Sequence, residues 1–502
     1  MKGLSKSKYT LFCQCPKALW MRTYHPEEAT IDPGVEARFV SGNEVGDLAM
    51  GLFGPFVEVT AMKPDGGLDL SAMIRKTQEC IAEGTKVICE ASFTYEHNYC
   101  AVDILLKTDG GYAIYEVKSS TGSETETDWE KCEKYAPDIA YQKWVLTQCG
   151  VNVTDTYLVC IDSNYVLEGE LDIQKVFSKI NMKTLVDNEY PKVAARVKQA
   201  QKMLEGDMPQ LDLSEHCMHP YPCAFWNYCT RHVPTPSVFD LYRMNFNKKL
   251  DHYHNGKISF EDLRLEKLND KQQMQVECTL NHTGHIDKAG IRNFLDGLTY
   301  PMYFLDFETM QPILPECQGT HPYQQIPFQY SLHVIEYEGG PLLHREHLGI
   351  SGTDPRRALA EQLCKDIPMN VCTLAYNKAF ECTRIKEMAA AFPDLAPHLL
   401  NIQAHIQDLL VPFQAGYCYV PAMGGSFSIK SVLPALFPDD PELNYHNLDE
   451  QVQNGGDAMT IFPRIKDMEP AAQLSARQAL LNYCCLDTLA MVKVWEYLKT
   501  LI

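Results

Sequence analysis

The sequence predicts an α/β protein made of two folded domains joined by a helical connector. Three observations carry this expectation. The chain has 502 residues, enough for about two to four domains with cores of their own. Cysteine groups stand near both ends of the stretch 1–235, and a charged, polar stretch with helical character follows it. From residue 296 onward, short apolar strands alternate with helical patterns, as expected for a mixed sheet with helices packed on it. The expected boundaries are therefore 1–235, 236–295 and 296–502.

Composition narrows the function classes. Hydrophobic residues make up 45% and charged residues 22% of the chain, values of an ordinary globular protein rather than a fibrous or disordered one. No stretch approaches the roughly 20 apolar residues of a membrane span. The start, MKGLSKSKYTLFCQCP, is basic but lacks the apolar run of a secretory signal. A cytoplasmic location with no membrane partner is expected. The 19 cysteines are too dilute for a disulfide scaffold, so reduced thiols with a few metal ligands are expected. Cys80, Cys89, Cys160 and Cys364 sit in apolar runs and read as small buried hydrophobes. The net charge of −20 weighs against a phosphate-rich partner, which attracts Lys and Arg. Local charge can differ from the total: the first 22 residues hold Lys2, Lys6, Lys8, Lys17 and Arg22 and no acid. The acidic stretch 123–133 reads as a solvated loop or helix start.

Cys217, Cys223 and Cys229 lie in EHCMHPYPCAFWNYCTRH with the spacing C-x5-C-x5-C. Pro220 and Pro222 keep the first part irregular, which lets the sulfurs turn inward. A four-coordinate site needs one more thiolate. Cys13 and Cys15, about 200 residues upstream, are the candidates. A metal clip across so long a loop is where such a clip stabilises most in principle. Structural zinc sites favour closer pairs such as C-x2-C. The wider spacing here, with Pro and aromatic residues between, fits an iron–sulfur cluster better, with Zn²⁺ as the alternative.

A first carboxylate–lysine group lies in CEASFTYEHNYCAVDILLKTDGGYAIYEVKSSTG. Asp103 ends one apolar alternation, and the DGG at 109–111 marks a hairpin turn. Glu116 and Lys118, two apart on the next strand, point to one face. Carboxylates from neighbouring strands can hold Mg²⁺ or Mn²⁺, and a lysine beside them can orient or activate a water. Glu90 on the preceding strand could add a ligand. Tyr141 and Gln142 follow on a helix. This D-x(n)-E-x-K pattern, the Gln-bearing helix, the opening LSKSKYTLFCQCPKALW, and one cysteine before and three after the core together resemble the RecB-like PD-(D/E)XK iron–sulfur nucleases. The resemblance covers about residues 1–235. It implies a restriction-endonuclease-like fold, catalysis by Asp103, Glu116 and Lys118, and a [4Fe–4S] cluster on Cys15, Cys217, Cys223 and Cys229, with Pro16 favouring Cys15 over Cys13. One departure stands out. Many relatives carry a histidine on the helix after the first cysteine, whereas FVSGNEVGDLAMGLF has none and offers Glu44 as the nearest polar substitute.

A second group begins in YPMYFLDFETM. Asp306 and Glu308 alternate with apolar residues on a strand and face one side. In LLNYCCLDTLAMVKVWEYL, Tyr483 and Asp487 are four apart on a helix and share a face. Between them, VCTLAYNKAFECTRIKEMA reads as strand then helix and brings Asn377, Phe380 and Glu381. These three segments, in this order, resemble the motifs of the DnaQ-like 3′→5′ exonucleases of the tyrosine (DEDDy) subclass. Glu381 stands where that family usually has Asp. The resemblance covers about residues 300–502 and implies an RNase H-like fold. It also implies that Asp306, Glu308, Glu381 and Asp487 hold two divalent ions about 4 Å apart. Tyr483, whose ordinary pKa is about 10, would orient the attacking water. Asp408 is an alternative ligand that in relatives begins a structural turn. Lys430, in GSFSIKSVLPALF, reads as a solvated lysine, with contact to a phosphate as the alternative.

Together these readings lead to the expectation of a metal-dependent enzyme with two nuclease domains acting on DNA or RNA, with single-stranded ends as the expected substrate. A protein partner in a repair or defence system fits such an enzyme. The alternative is one active DnaQ-like exonuclease whose N-terminal domain binds nucleic acid or docks a protein without cutting.

Overall fold

The structure, a computed structural model, describes residues 3–30, 33–122 and 131–502, with only the backbone described for 33–41. Most of the acidic stretch 123–133 lies outside the described residues. The chain is a mixed α/β protein that divides into two compact units. The first comprises Met1–His232 and Ile313–Tyr323, the second Val233–Pro312 and Gln324–Ile502. Among the described residues no helix is long and apolar enough to cross a membrane.

The first unit is built on a six-stranded sheet: β1 (Val57–Glu58), β2 (Val87–Tyr95), β3 (Asn98–Thr108), β4 (Gly111–Thr121), β5 (Val153–Ile161) and β6 (Phe177–Asn181), in that spatial order. Strands β2, β3 and β4 form two tight hairpins. The first turns on Glu96 and His97, both at positive φ, and the second on Asp109-Gly110. Two-residue hairpin loops favour such mirror-image turns because their twist matches that of the strands. Strand β5 runs parallel to β4, and a parallel connection needs a crossover. The helix Ala136–Gln148 supplies it. Alternating residues divide the strands between two apolar layers. Ile88, Ala91, Val102 and Ile114 pack with the helices Lys6–Gln14, Ala136–Gln148 and Lys183–Met203; Val87, Cys89, Ile104 and Tyr115 face the other side.

The second unit holds a five-stranded sheet in the order β10-β9-β8-β11-β12. Its strands are β8 (Met302–Met310), β9 (Ile326–Ile335), β10 (Leu342–Leu348), β11 (Cys372–Ala375) and β12 (Ile406–Asp408); the short β7 (His285–Ile286) pairs elsewhere with β13 (Cys418–Tyr419). Strands β8, β9 and β10 are antiparallel, while β11 and β12 run parallel to β8. Strand β8 therefore lies at the centre with apolar cores on both faces. The 31-residue helix Pro470–Thr500 covers one face. Gln329 Nε2 donates to its Leu480 carbonyl at 2.8 Å, and Ser331 shares a 2.7 Å hydroxyl bond with its Thr488.

Two expected boundaries are corrected. Residues 236–295 are not a separate connector but part of the second unit. Val238, Leu241, Phe260, Leu263 and Val276 bury one another there, and β7 pairs with β13. Residues Ile313–Tyr323, expected within the C-terminal domain, belong to the first unit. The Leu167 and Gly319 amides donate to the Thr320 and Leu167 carbonyls at 2.9 Å each, and the Gln318 side chain bonds both polar groups of the Gly169 backbone.

Candidate functional site

In the first unit, β4 places Glu116 beneath the helix Ala136–Gln148, where it is fully buried. Lys118, two residues on, donates to it at 2.6 Å. Gln142 Nε2 donates to its other oxygen at 2.7 Å. Asp103 on β3 is anchored by the Val117 amide at 2.7 Å. Sequence reasoning missed two members of this group. Asp138, one helical turn before Gln142, accepts from Lys118 at 3.3 Å and from Gln142 at 3.2 Å. Lys6 donates to both oxygens of Glu116, at 2.8 and 3.1 Å, and lies 3.9 Å from Asp103 and Asp138.

Lys6 is held there by the start of the chain. Ser5 caps the helix Lys6–Gln14, and the Leu4 carbonyl accepts from the Tyr99 amide and the Tyr141 hydroxyl. Tyr141, stacked on Tyr9, is thus a structural post rather than a member of the carboxylate group.

The electrostatics of the group follow from burial among like charges. Burial and the neighbouring Glu116 push Asp103 up to about 6, against the pull of Lys6. Burial and Asp103 push Glu90 up to about 7. Glu116 also suffers from burial, but the ammonium groups of Lys118 and Lys6 overcome it and hold its pKa below the usual carboxylate range. Glu90 sits on β2 at φ 57°, a left-handed conformation that costs a non-glycine residue about 1–2 kcal/mol. Such strain at an acid facing other acids is the kind found at ligand sites. Glu44 lies exposed on the helix Pro33–Met50 and has no hydrogen bond or ion pair to this group. The remaining oxygen donors suit a hard cation such as Mg²⁺ or Mn²⁺.

The four cysteines converge. Cys15, Cys217, Cys223 and Cys229 line one cavity with Phe225 and Met21. Burial raises Cys223 to about 11, and the other three thiols add to the shift. Cys13 points elsewhere, toward Arg196 at 3.9 Å. The clasp is reinforced by Gln14, whose Nε2 donates to the carbonyls of His216 (2.9 Å) and Tyr221 (2.7 Å). Of the cysteines expected to be buried hydrophobes, Cys80, Cys89 and Cys160 are buried and Cys364 is only half-buried.

In the second unit, Asp306 and Glu308 alternate on β8 and face the helix Pro470–Thr500. Ligand atoms of Asp306, Glu308 and Cys484 lie within 4.8 Å of one another. Asp487 and Tyr483, one turn apart on that helix, are both buried. Lys430 is exposed, as a solvated lysine would be, but its ammonium is engaged. It donates to Asp487 at 2.9 Å and to the Tyr483 hydroxyl at 3.0 Å, with its ammonium over the Tyr445 ring. Tyr445, which sequence reasoning missed, donates to Asp487 at 2.6 Å. The helix Ala379–Ala391 carries Glu381 in its first turn, buried and with Oε2 lacking a hydrogen-bond partner.

Burial and mutual repulsion, chiefly with Asp487, raise Asp306 and Glu308 well above ordinary carboxylates. Burial pushes Glu381 up to about 8. A low-dielectric pocket with this much negative charge fits divalent cations, whose binding displaces the protons. Asn377, at φ 64°, is exposed, and its amide donates to Asp408 at 2.9 Å; Asp408 also accepts from Leu410. Asp408 Oδ1 thus takes up two backbone amides at a turn, and its charge is felt by Glu381.

Residues 303–428, which include Asp306, Glu308 and Glu381 but not Lys430, Tyr483 or Asp487, match a family described as a domain of unknown function (DUF2779). The chain is also similar to an uncharacterized protein, UU173, of Ureaplasma parvum serovar 3, with 25% identity over 248 residues. That alignment takes in 44% of this chain and 34% of the relative. The chain thus covers about a third of that protein's length.

Proposed function

We propose that the second unit is a metal-dependent 3′→5′ exonuclease of the DnaQ-like, RNase H-like kind acting on DNA or RNA ends. The observation that carries this reading is the convergence of Asp306, Glu308 and Asp487, beside Tyr483 and Lys430, on a buried patch of the central strand. Bound there, two Mg²⁺ or Mn²⁺ ions would supply Lewis-acid stabilisation of an in-line phosphoryl displacement. Asp306, Glu308, Asp487 and the partnerless oxygen of Glu381 would hold them. The Tyr483 hydroxyl, kept protonated by burial beside Asp487, would orient a water as a hydrogen-bond donor or acceptor. Lys430 balances the carboxylate charge and is placed to meet a phosphate.

We read the first unit as a RecB-like, restriction-endonuclease-like nuclease domain. Asp103, Glu116 and Glu90 would be its metal ligands and Lys118 the residue that orients water. Its four thiols would bind a [4Fe–4S] cluster, or Zn²⁺ in the alternative. The position of Lys6 supports a second reading for this unit. Its ammonium already neutralises Glu116, which suits a module that binds nucleic acid or a protein without cutting.

The experiment is degradation of end-labelled single- and double-stranded DNA and RNA with Mg²⁺ or Mn²⁺, using anaerobically purified protein. Wild type is compared with Asp306→Ala and Lys118→Ala. Stepwise 3′ trimming lost in Asp306→Ala, with a separate activity lost in Lys118→Ala, supports two nucleases. No change in Lys118→Ala favours the binding-module reading. Trimming that survives Asp306→Ala sinks the exonuclease assignment.

A further inference from the structure

The face of the second sheet that bears Asp306 and Glu308 carries another group of donors nearer its edge. His333 on β9 and His344 on the edge strand β10 are directly paired across the strands, so their side chains share a face. Their rings lie 4.7 Å apart between centroids. The helix Pro470–Thr500 brings Cys485 to the same place. One nitrogen of each imidazole and the Cys485 sulfur all lie within 4.8 Å of one another. Glu346, two residues beyond His344 and so on the same face, has Oε2 3.8 Å from His344 Nε2.

We propose that His333, His344 and Cys485, with Glu346 as fourth donor, form a separate metal site of the kind that takes Zn²⁺. Two imidazoles, a thiolate and a carboxylate are a donor set that zinc accepts in tetrahedral geometry. The surroundings also match what metal-bound histidines need. His333 Nδ1 is held by the Thr488 hydroxyl at 2.8 Å, a partner that fixes the ring and leaves its other nitrogen to the metal, whereas His344 Nε2, which faces Glu346, would exchange its 3.0 Å contact with Ser331 for the metal. Binding would release the Cys485 thiol proton to solvent and form a sulfur–metal bond.

The consequence is mechanical. Cys485 follows Cys484, whose sulfur is 3.8 Å from Asp306 Oδ2. It sits between Tyr483 and Asp487 in sequence. A metal at this place would clamp to the outer strands the turn of helix that carries both residues.

The test uses the full chain, stripped of metal by chelation and supplied with excess Mg²⁺ to occupy the carboxylates. Zinc is titrated into wild type, Cys485→Ser and His344→Gln, with circular dichroism confirming the fold. Wild type should bind one zinc equivalent more than either variant; equal stoichiometry in all three overturns the proposal. A second measurement needs no variant. Alkylation of wild type by iodoacetamide is followed by peptide mapping with and without Zn²⁺. Zinc should slow modification of Cys485 at least tenfold while leaving Cys364 unchanged, and an unchanged rate at Cys485 overturns the proposal.

Discussion

Lys6 and Glu116 are 110 residues apart in sequence, yet the Lys6 ammonium bridges both oxygens of the Glu116 carboxylate. It sits where a cation would be expected among Asp103, Glu116 and Asp138. Removing one partner of a buried ion pair costs about 3 kcal/mol when the other is left unpaired; here Lys118 and Gln142 still bond Glu116, so the cost is a part of that. Lys6→Ala should therefore lower the Tm of the first unit by several degrees in chelator. Because a divalent ion can replace the lost charge, Mg²⁺ should restore more stability to Lys6→Ala than it adds to wild type. Thermal melts of both proteins with EDTA and with Mg²⁺ decide this. An equal Mg²⁺ gain in the two would mean that Lys6 does not compete with a metal.

The four-cysteine clasp ties the start of the chain to residues about 200 positions later, through Gln14 to His216 and Tyr221 and through the Thr30 amide to Ala224. With the proposed [4Fe–4S] cluster in place, Cys229→Ser should lose bound iron and sulfide, and a wild-type protein purified anaerobically without either would overturn that proposal. The variant should also lose hydrogen-exchange protection in the helix Lys6–Gln14 and in residues 211–229, with the sheet of the second unit unchanged. Iron-free protein with wild-type exchange in those segments would show that the proposed cluster is not what holds them.

These cases mark what could be read from the chain. Asp306 and Glu308 were legible because a period of two on an apolar strand fixes their shared face, and Tyr483 and Asp487 because four residues is one helical turn. Lys6 and Asp138 were not. A lysine in a basic run looks solvated, and nothing local says that the chain start is pinned by Asn98, Tyr99 and Tyr141. The contacts of Lys430 and Tyr445 were missed for the same reason: their partner Asp487 is 57 and 42 residues away. The stretch 313–323, ILPECQGTHPY, has the Pro and Gly content of a loop. Its membership in the first unit depends on backbone bonds to residues near 168, which no local pattern encodes.

Glu189 accepts from Arg196 at 2.7 Å on the helix Lys183–Met203, and Arg196 in turn reaches toward Cys13 on the helix Lys6–Gln14. Burial opposes ionisation of Glu189, but its bonds to Lys192 and Arg196 prevail and lower its pKa from 4.5. A carboxylate depressed in the folded state contributes stability above its unfolded pKa and loses it as pH falls through the folded value. Glu189→Gln should thus be less stable than wild type at neutral pH, with the difference shrinking as the pH drops below about 4.5. Urea denaturation across that range tests the sign. A difference that grows on acidification would contradict it.

Gly455 begins the helix Gly455–Arg464, which Asn454 caps, and it forms one wall of the carboxylate site. A Cβ at this position would lie 3.7 Å from Glu308 Oε2 and 3.9 Å from the Tyr483 hydroxyl. Those are ordinary contact distances, so Gly455→Ala should fold without strain. Replacing glycine in a helix at compatible dihedrals commonly stabilises by up to about 1 kcal/mol. The methyl would nevertheless occupy the space between a proposed metal ligand and the proposed water-orienting group. A misplacement of about 1 Å at a reacting centre can cost ~100-fold in rate. Gly455→Ala should therefore keep or raise the Tm while lowering the 3′-trimming rate by at least tenfold. Thermal melts and single-turnover trimming on the same preparation separate the two effects. A variant with unchanged trimming would show that substrate and water do not pass between Glu308 and Tyr483. A variant that loses stability and activity together would place Gly455 in the scaffold rather than at the site.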